Sequence, residues 1–303
     1  MRFTLRRLGQ ALVSMLILFL LVFGATRLAG DPVNIYLPVN ASQEAREEMR
    51  EELGLNRPLP VQIGDFLADI VTLEFGESIW QGRPAIDIVL ERLPVTIVLA
   101  LISIGVAALV AVGIGVVSAT HPGSRIDQFQ RFLALFGASV PDFWLALMLI
   151  LVFASMLGIL PTSGFGGASY LILPVIVLAA RPAGVLSQVV RNSLLTEIDA
   201  DYAVAARSRG ASSRWVVTRH AIRNASLPSI TVAGDQLIQL VNGAVVVETV
   251  FGLPGIGSLS IDAIQNRDFT ILFAIVFVVA VGVILINLTL DVAYMVLDPR
   301  VRY

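Results

Sequence analysis

The stretch 201–228, DYAVAARSRGASSRWVVTRHAIRNASLP, is polar, rich in arginine and helical in pattern, yet it joins two apolar runs near 171–193 and 226–250. Such an insert is not stable in hydrocarbon, so it separates the flanking runs into distinct membrane crossings joined at a water-facing connection. Within it Tyr202, Ala205, Ala206 and Arg209 fall at i, i+3, i+4 and i+7. That spacing puts them on one helix face, where two alanines let another surface approach closely. Asp201 is expected to cap the start of this helix and Gly210 to stop it. Ser212 or Ser213 then caps a second helix through Trp215, Val216, Arg219 and Ile222, leading into Leu227-Pro228 and the next apolar run. Two readings fit these residues: a docking surface for another protein, or a basic loop whose charges are simply solvated.

Outward from this stretch, the 303 residues are 56% apolar and 15% charged, with a mean hydropathy of +0.82. Those values lie outside the range of soluble domains and define an integral membrane protein. A bilayer core of about 30 Å needs roughly 20 mainly apolar residues per helix. Windows of that kind lie near 8–28, 94–118, 132–160, 171–193, 226–250 and 271–295, which predicts an all-α protein with six transmembrane helices. Arg181 and Pro182 interrupt the fourth. Arg2, Arg6 and Arg7 precede the first, but its apolar run is longer than a signal peptide's and no cleavage site follows, so a retained helix is expected.

All 21 basic residues are arginine. With six crossings, thirteen (2, 6, 7, 125, 131, 191, 207, 209, 214, 219, 223, 300 and 302) share the amino-terminal side and six (46, 50, 57, 83, 92 and 267) face the other. The excess predicts cytoplasmic amino and carboxyl termini, with 201–228 on the same side. The expected organisation is a tail and first helix at 1–29, an external segment at 30–92, and a core of 93–303 carrying the polar loop 196–228. The external segment offers an acidic helical run, Ser42 to Leu53, then apolar anchors at Leu59, Ile63, Phe66 and Ile70; it is long for a connector and is expected to fold as a small cap.

Lysine is absent, which excludes a Walker A phosphate loop and hence an ATPase. The two histidines, His121 and His220, have no cysteine with which to build a zinc site of familiar spacing. Neither a catalytic group nor a bound cofactor or metal is expected. Ionisable groups inside the spans are costly and mark paths or partners. Asp142, Arg181 and Asp235 each fall about ten residues from the end of a window, roughly 15 Å deep. Asp235, Gln239 and Asn242 follow i, i+4 and i+7, a polar stripe expected to line a path. A structural Arg181–Asp235 ion pair fits as well. Glu248, near the outer end of the fifth window, suits an outer gate or a helix-interface hydrogen bond. Gly252, Pro254, Gly255 and Gly257 then mark an outer loop that either turns back toward the path or lies on the surface.

Ala205-Ala206, Gly210 four residues on, and Leu227-Pro228 resemble the EAA loop of ABC importer permeases. Asp201-Tyr202, Arg219-His220-Ala221 and Arg223-Asn224-Ala225 sharpen the likeness to the binding-protein-dependent dipeptide/oligopeptide (DppB/OppB-like) permease family. Gly30-Asp31-Pro32, Leu53-Gly54-Leu55, Phe75-Gly76-Glu77-Ser78, Arg92-Leu93-Pro94, Gly243 to Phe251, Pro254-Gly255 and Leu297-Asp298-Pro299-Arg300 extend it over essentially the whole chain. The resemblance implies six helices of the type I ABC importer kind with a small external cap. It implies a subunit of an importer in the bacterial inner membrane, with a DppC/OppC-like second permease, two ATP-binding subunits that hold ATP and Mg, and an extracytoplasmic solute-binding protein. The ATPase-coupling residues would be Asp201, Tyr202, Ala205, Ala206, Arg207, Arg209, Gly210, Arg219, His220 and Pro228. The cargo would be peptides, or in similar permeases nickel chelates, glutathione or opines. Glu248 matches the family, whereas Arg181 and Asp235 depart from its pattern. A gradient-driven transporter with Asp142, Arg181 and Asp235 as a relay, or a ligand-sensing scaffold, are the other classes the charges allow.

Overall fold

The computed structural model describes residues 41–297 except 53, together with 9–10, 13–21, 23–24, 33 and 37. Among these, every regular element is a helix, and a lone bridge pairs Glu77 with Pro84. The helices are α1 (Gln43–Glu52), α2 (Leu59–Thr72), α3 (Ala85–Thr120), α4 (Arg125–Ser139) and α5 (Asp142–Leu149). They continue as α6 (Ala168–Ile198), α7 (Asp201–Ser208), α8 (Ser213–Phe251), α9 (Ile256–Gln265) and α10 (Phe269–Leu297). Four of them, α3, α6, α8 and α10, are long and apolar enough to cross a membrane, and α4 with α5 makes a fifth if the bent pair is one span. The first expected span, 8–28, lies only partly among the described residues, of which 13–21 are helical. The termini lie outside them.

One expected span takes a different form. The third window, 132–160, is not one rod: α4 and α5 meet at an angle of 108°. Pro141 has no N–H to donate and pushes the residue before it out of the helical region; Val140 is accordingly extended, at φ −88°, ψ 123°. Asp142 therefore sits in the first turn of α5 rather than in mid-helix, and past Leu149 that helix loosens into a π-helix, Ile150–Met156. The fourth window, by contrast, is unbroken. Pro174 and Pro182 are both buried within the 31-residue α6, and Arg181 points to its exposed side.

Two compact units divide the chain, Met1–Arg92 with Leu259–Ile284, and Leu93–Ser258 with Leu285–Arg302. In the first, Phe66 of α2 meets Phe19, Phe23 and Phe273 with ring centroids 5.3–6.3 Å apart. Phe277 is stacked on Phe19 and tilted on Phe75. The helix α2 is thus anchored to apolar helices by aromatic contacts. Asp268, fully buried, caps α10 through the Ile271 N–H (3.2 Å) and also accepts from the Ser78 hydroxyl (2.6 Å) and the Trp80 N–H (3.3 Å).

The second unit is built around α6. Its core joins Leu99, Ala146, Leu173, Val177, Leu178, Leu240, Val247 and Phe251. Glycine brings backbones together here, as in other membrane bundles: a Cβ on Gly137 would lie 2.7 Å from the Ala180 carbonyl oxygen, and one on Gly184 2.8 Å from that of Leu133. Where α3, α4 and α6 come together, Asp127 is fully buried and accepts from Arg191 Nε (2.6 Å), the Ser118 hydroxyl (2.6 Å), the Gly123 N–H (2.9 Å) and Arg131 (2.8 Å).

Candidate functional site

The polar stretch after α6 folds as α7 and the start of α8. α7 begins after Ala200, which occupies the N-cap with an extended backbone, so Asp201 is its first helical residue and not the cap. Asp201 instead places its charge in the first turn, where the helix dipole favours an anion. At the other end Gly210 adopts φ +90° and donates to the Arg207 carbonyl (2.9 Å), while the Ala211 N–H reaches that of Ala206 (3.1 Å). A side chain at that φ would be strained, which is why glycine ends the helix. Of the two candidate serines, Ser212 is the cap of α8, accepting from the Trp215 N–H at 3.3 Å. α8 then runs without a break into the membrane span, loosened by a π-turn at Val217–Ala221, and it carries Pro228 in its interior.

α7 is held from behind and open in front. Ala203 is fully buried, and Arg207 donates to the Ile198 carbonyl at the end of α6 (2.6 Å). Glu197 accepts from the Tyr202 hydroxyl (2.5 Å) and the Asn224 amide (3.1 Å), tying the start of α7 to α8. Partial burial, with that hydrogen bond second, raises the Tyr202 phenol above its usual pKa. The His220 ring lies edge-on to Trp215 at 4.9 Å and to Tyr202 at 6.5 Å. Asp201, Val204, Ala205, Arg209 and Gly210 are exposed, as are Trp215, Arg219 and Pro228. The coupling candidates therefore divide. Ala205, Arg209 and Arg219 face outward, whereas Arg207 and the ring of His220 brace the segment against its own chain. Glu197, which does this bracing too, was not singled out in the sequence, because nothing local distinguishes it from a solvated glutamate.

The mid-span candidates divide as well. Asp235, Gln239 and Asn242 are all exposed on one face of α8, in line with Thr231 below and Thr249 above. No side-chain hydrogen bond or ion pair holds any of the three among the described residues. The alternative Arg181–Asp235 ion pair is not formed: no such contact within 4.0 Å exists among the described residues. The kink at Pro141 places Asp142 in the first turn of α5 instead of at mid-helix. Glu248 takes a different place altogether. It is fully buried and accepts from the Thr96 hydroxyl (2.6 Å), the Ser258 N–H (3.0 Å) and the Gly257 N–H. The Thr96 oxygen in turn accepts from the Ile256 N–H (2.9 Å). Glu248 thus caps the first turn of α9, and the glycines at 255 and 257 leave room for its carboxylate. The loop 252–257 is tucked in by Leu253, Gly255 and Ile256, all buried, and is not a surface loop.

The described helices thus include several long enough to cross a membrane, with the short helix α7 in the polar connection between α6 and α8. Residues 111–303 match the family described as binding-protein-dependent transport system inner membrane component, and residues 1–100 match the amino-terminal family of the same membrane components. The oligopeptide transport system permease protein AppB of Bacillus subtilis is 36% identical over 285 residues, covering 90% of each chain. The glutathione transport system permease protein GsiC of Salmonella typhimurium is 34% identical over 304 residues, covering 100% of this chain and 99% of its own. Among solved structures, an inward-facing MetNI methionine ABC transporter superposes with a TM-score of 0.58 at 19% identity, over 70% of this chain and 96% of that one. This chain belongs to the binding-protein-dependent transport system inner membrane component family. It is a membrane permease subunit, the non-catalytic part of such a system.

Proposed function

We propose that the chain is one of two permease subunits of an importer for short peptides or closely similar solutes. The second permease would be DppC/OppC-like, two cytoplasmic subunits would bind ATP and Mg, and an extracytoplasmic binding protein would deliver the cargo. The printed names of the relatives support a peptide-like cargo, glutathione being itself a tripeptide. The arginine excess supports a location in the bacterial inner membrane, both termini and 201–228 on the cytoplasmic side.

One observation carries the coupling role: α7 is pinned to α6 and α8 by Ala203, Arg207 and Glu197, while Ala205, Arg209 and Gly210 stay exposed. A helix fastened on one side and bare on the other passes a push from a partner to both spans at once. ATP-driven closure of the partner subunits would move α7, and α6 and α8 would follow between inward and outward openings. Asp235, Gln239 and Asn242 would line the path, with Asp142 and Arg181 at its margin; Glu248 would hold the outer helix α9 in register. Co-purification of the ATP-binding subunits with this chain tests the proposal. Charge reversal at Arg209 with Ala205→Trp is expected to abolish it, and undiminished recovery overturns the assignment of α7.

A further inference from the structure

The stripe on α8 carries an unbalanced charge. Thr231, Asp235, Gln239, Asn242 and Thr249 repeat at helical spacing and all are exposed. The two threonines return their hydroxyls to their own backbone, at the carbonyls of Leu227 (3.2 Å) and Val245 (2.7 Å), and need nothing further. Asp235, Gln239 and Asn242 have no such local acceptor or donor among the described residues. Among the described residues no arginine stands within 4.0 Å of the Asp235 carboxylate. Asp235 remains, a bare carboxylate well inside the apolar run 226–250.

A carboxylate facing lipid at that depth costs several kcal/mol, so its face meets water, a cation or a neighbouring subunit instead of lipid. We infer that Asp235, flanked by the amides of Gln239 and Asn242, is a binding point in the path for a positively charged group of the cargo. This rests on the reading of the stripe as path lining. The carboxylate supplies the counter-charge, and the amides one and two turns further along the stripe offer oxygen acceptors to the same cation. The path would then favour cationic over anionic cargo, independently of the binding protein.

The chain has no cysteine, which makes the test direct. Gln239→Cys and Asn242→Cys are introduced singly into the assembled transporter in proteoliposomes. Modification of this chain is followed with methanethiosulfonates bearing either a trimethylammonium or a sulfonate group. The ratio of the two rates is used because an altered thiol pKa changes both alike. The expected result is modification at both positions, with the cationic reagent favoured over its ratio on a free thiol by roughly tenfold, the lower end for a charged cleft. That excess should disappear with Asp235→Asn and persist with Asp235→Glu. Failure of both cysteines to react overturns the path reading and this inference with it. Reaction at a ratio that Asp235→Asn leaves unchanged overturns the inference alone; a cation of the second permease already seated on Asp235 gives that result.

Discussion

Glu248 shows what one side chain does when every neighbour is fixed. Its carboxylate gathers the Thr96 hydroxyl and the first N–H groups of α9 in a fully buried site. Removing it leaves donors unpaired at about 1–3 kcal/mol each. Glu248→Val is therefore expected to lower the thermal unfolding midpoint of the purified complex more than Glu248→Gln, which keeps the size and one acceptor; equal midpoints would contradict the cap. Gly257→Ala should mimic the loss, since its Cβ would fall 2.5 Å from the Val245 Cα. Asp127 is the matching case in the first turn of α4, where Asp127→Ala strands Arg191 and Ser118 together. A lower midpoint that Arg191→Met partly restores in the double variant is the expected outcome. Sequence reading found Glu248 as a charge near a span's end but assigned no partner, because Thr96 lies far back in the chain. Asp127 and Asp268 escaped notice for a similar reason: Arg191 lies 64 residues from Asp127 and Ser78 lies 190 from Asp268, and each looks locally like an ordinary first-turn or loop aspartate.

At the scale of elements, periodicity and turn chemistry located most of the helices. The stop at Gly210, a serine cap at 212 or 213 and the run of the second helix into Leu227-Pro228 and the next span were readable locally, since each depends on a few adjacent residues. The break at Pro141 was not read, because hydropathy averages across a proline that chain direction does not. Conversely Pro182 and Arg181 suggested a break that packing on α4 through Gly184 overrides. Gly210→Val tests the element that matters most. A β-branched residue at φ +90° is strained by about 1–2 kcal/mol, and relieving it unwinds the end of α7. The variant is expected to insert normally yet lose ATP-driven uptake in proteoliposomes; wild-type uptake would show that the geometry of this turn is dispensable. Ser212→Ala, which removes one cap at about 1 kcal/mol, should weaken recovery of the ATP-binding subunits without abolishing it.

For the whole molecule, composition alone identified a polytopic membrane protein, and family membership supports the same conclusion over nearly the full chain. The proposed path is less legible. The spacing of Asp235, Gln239 and Asn242 revealed their common face, but whether Arg181 meets it depends on how α6 and α8 pack, which no local pattern encodes. The central claim is that α7 is a cytoplasmic handle held by ATP-binding subunits, and a single cysteine at Ala205 tests it most directly. In this otherwise cysteine-free chain, Ala205→Cys should cross-link to an ATP-binding subunit through a short thiol-reactive linker and resist membrane-impermeant maleimide applied to intact cells. Labelling of that cysteine from outside the cell, or its failure to cross-link in complexes that still import cargo, would contradict the account.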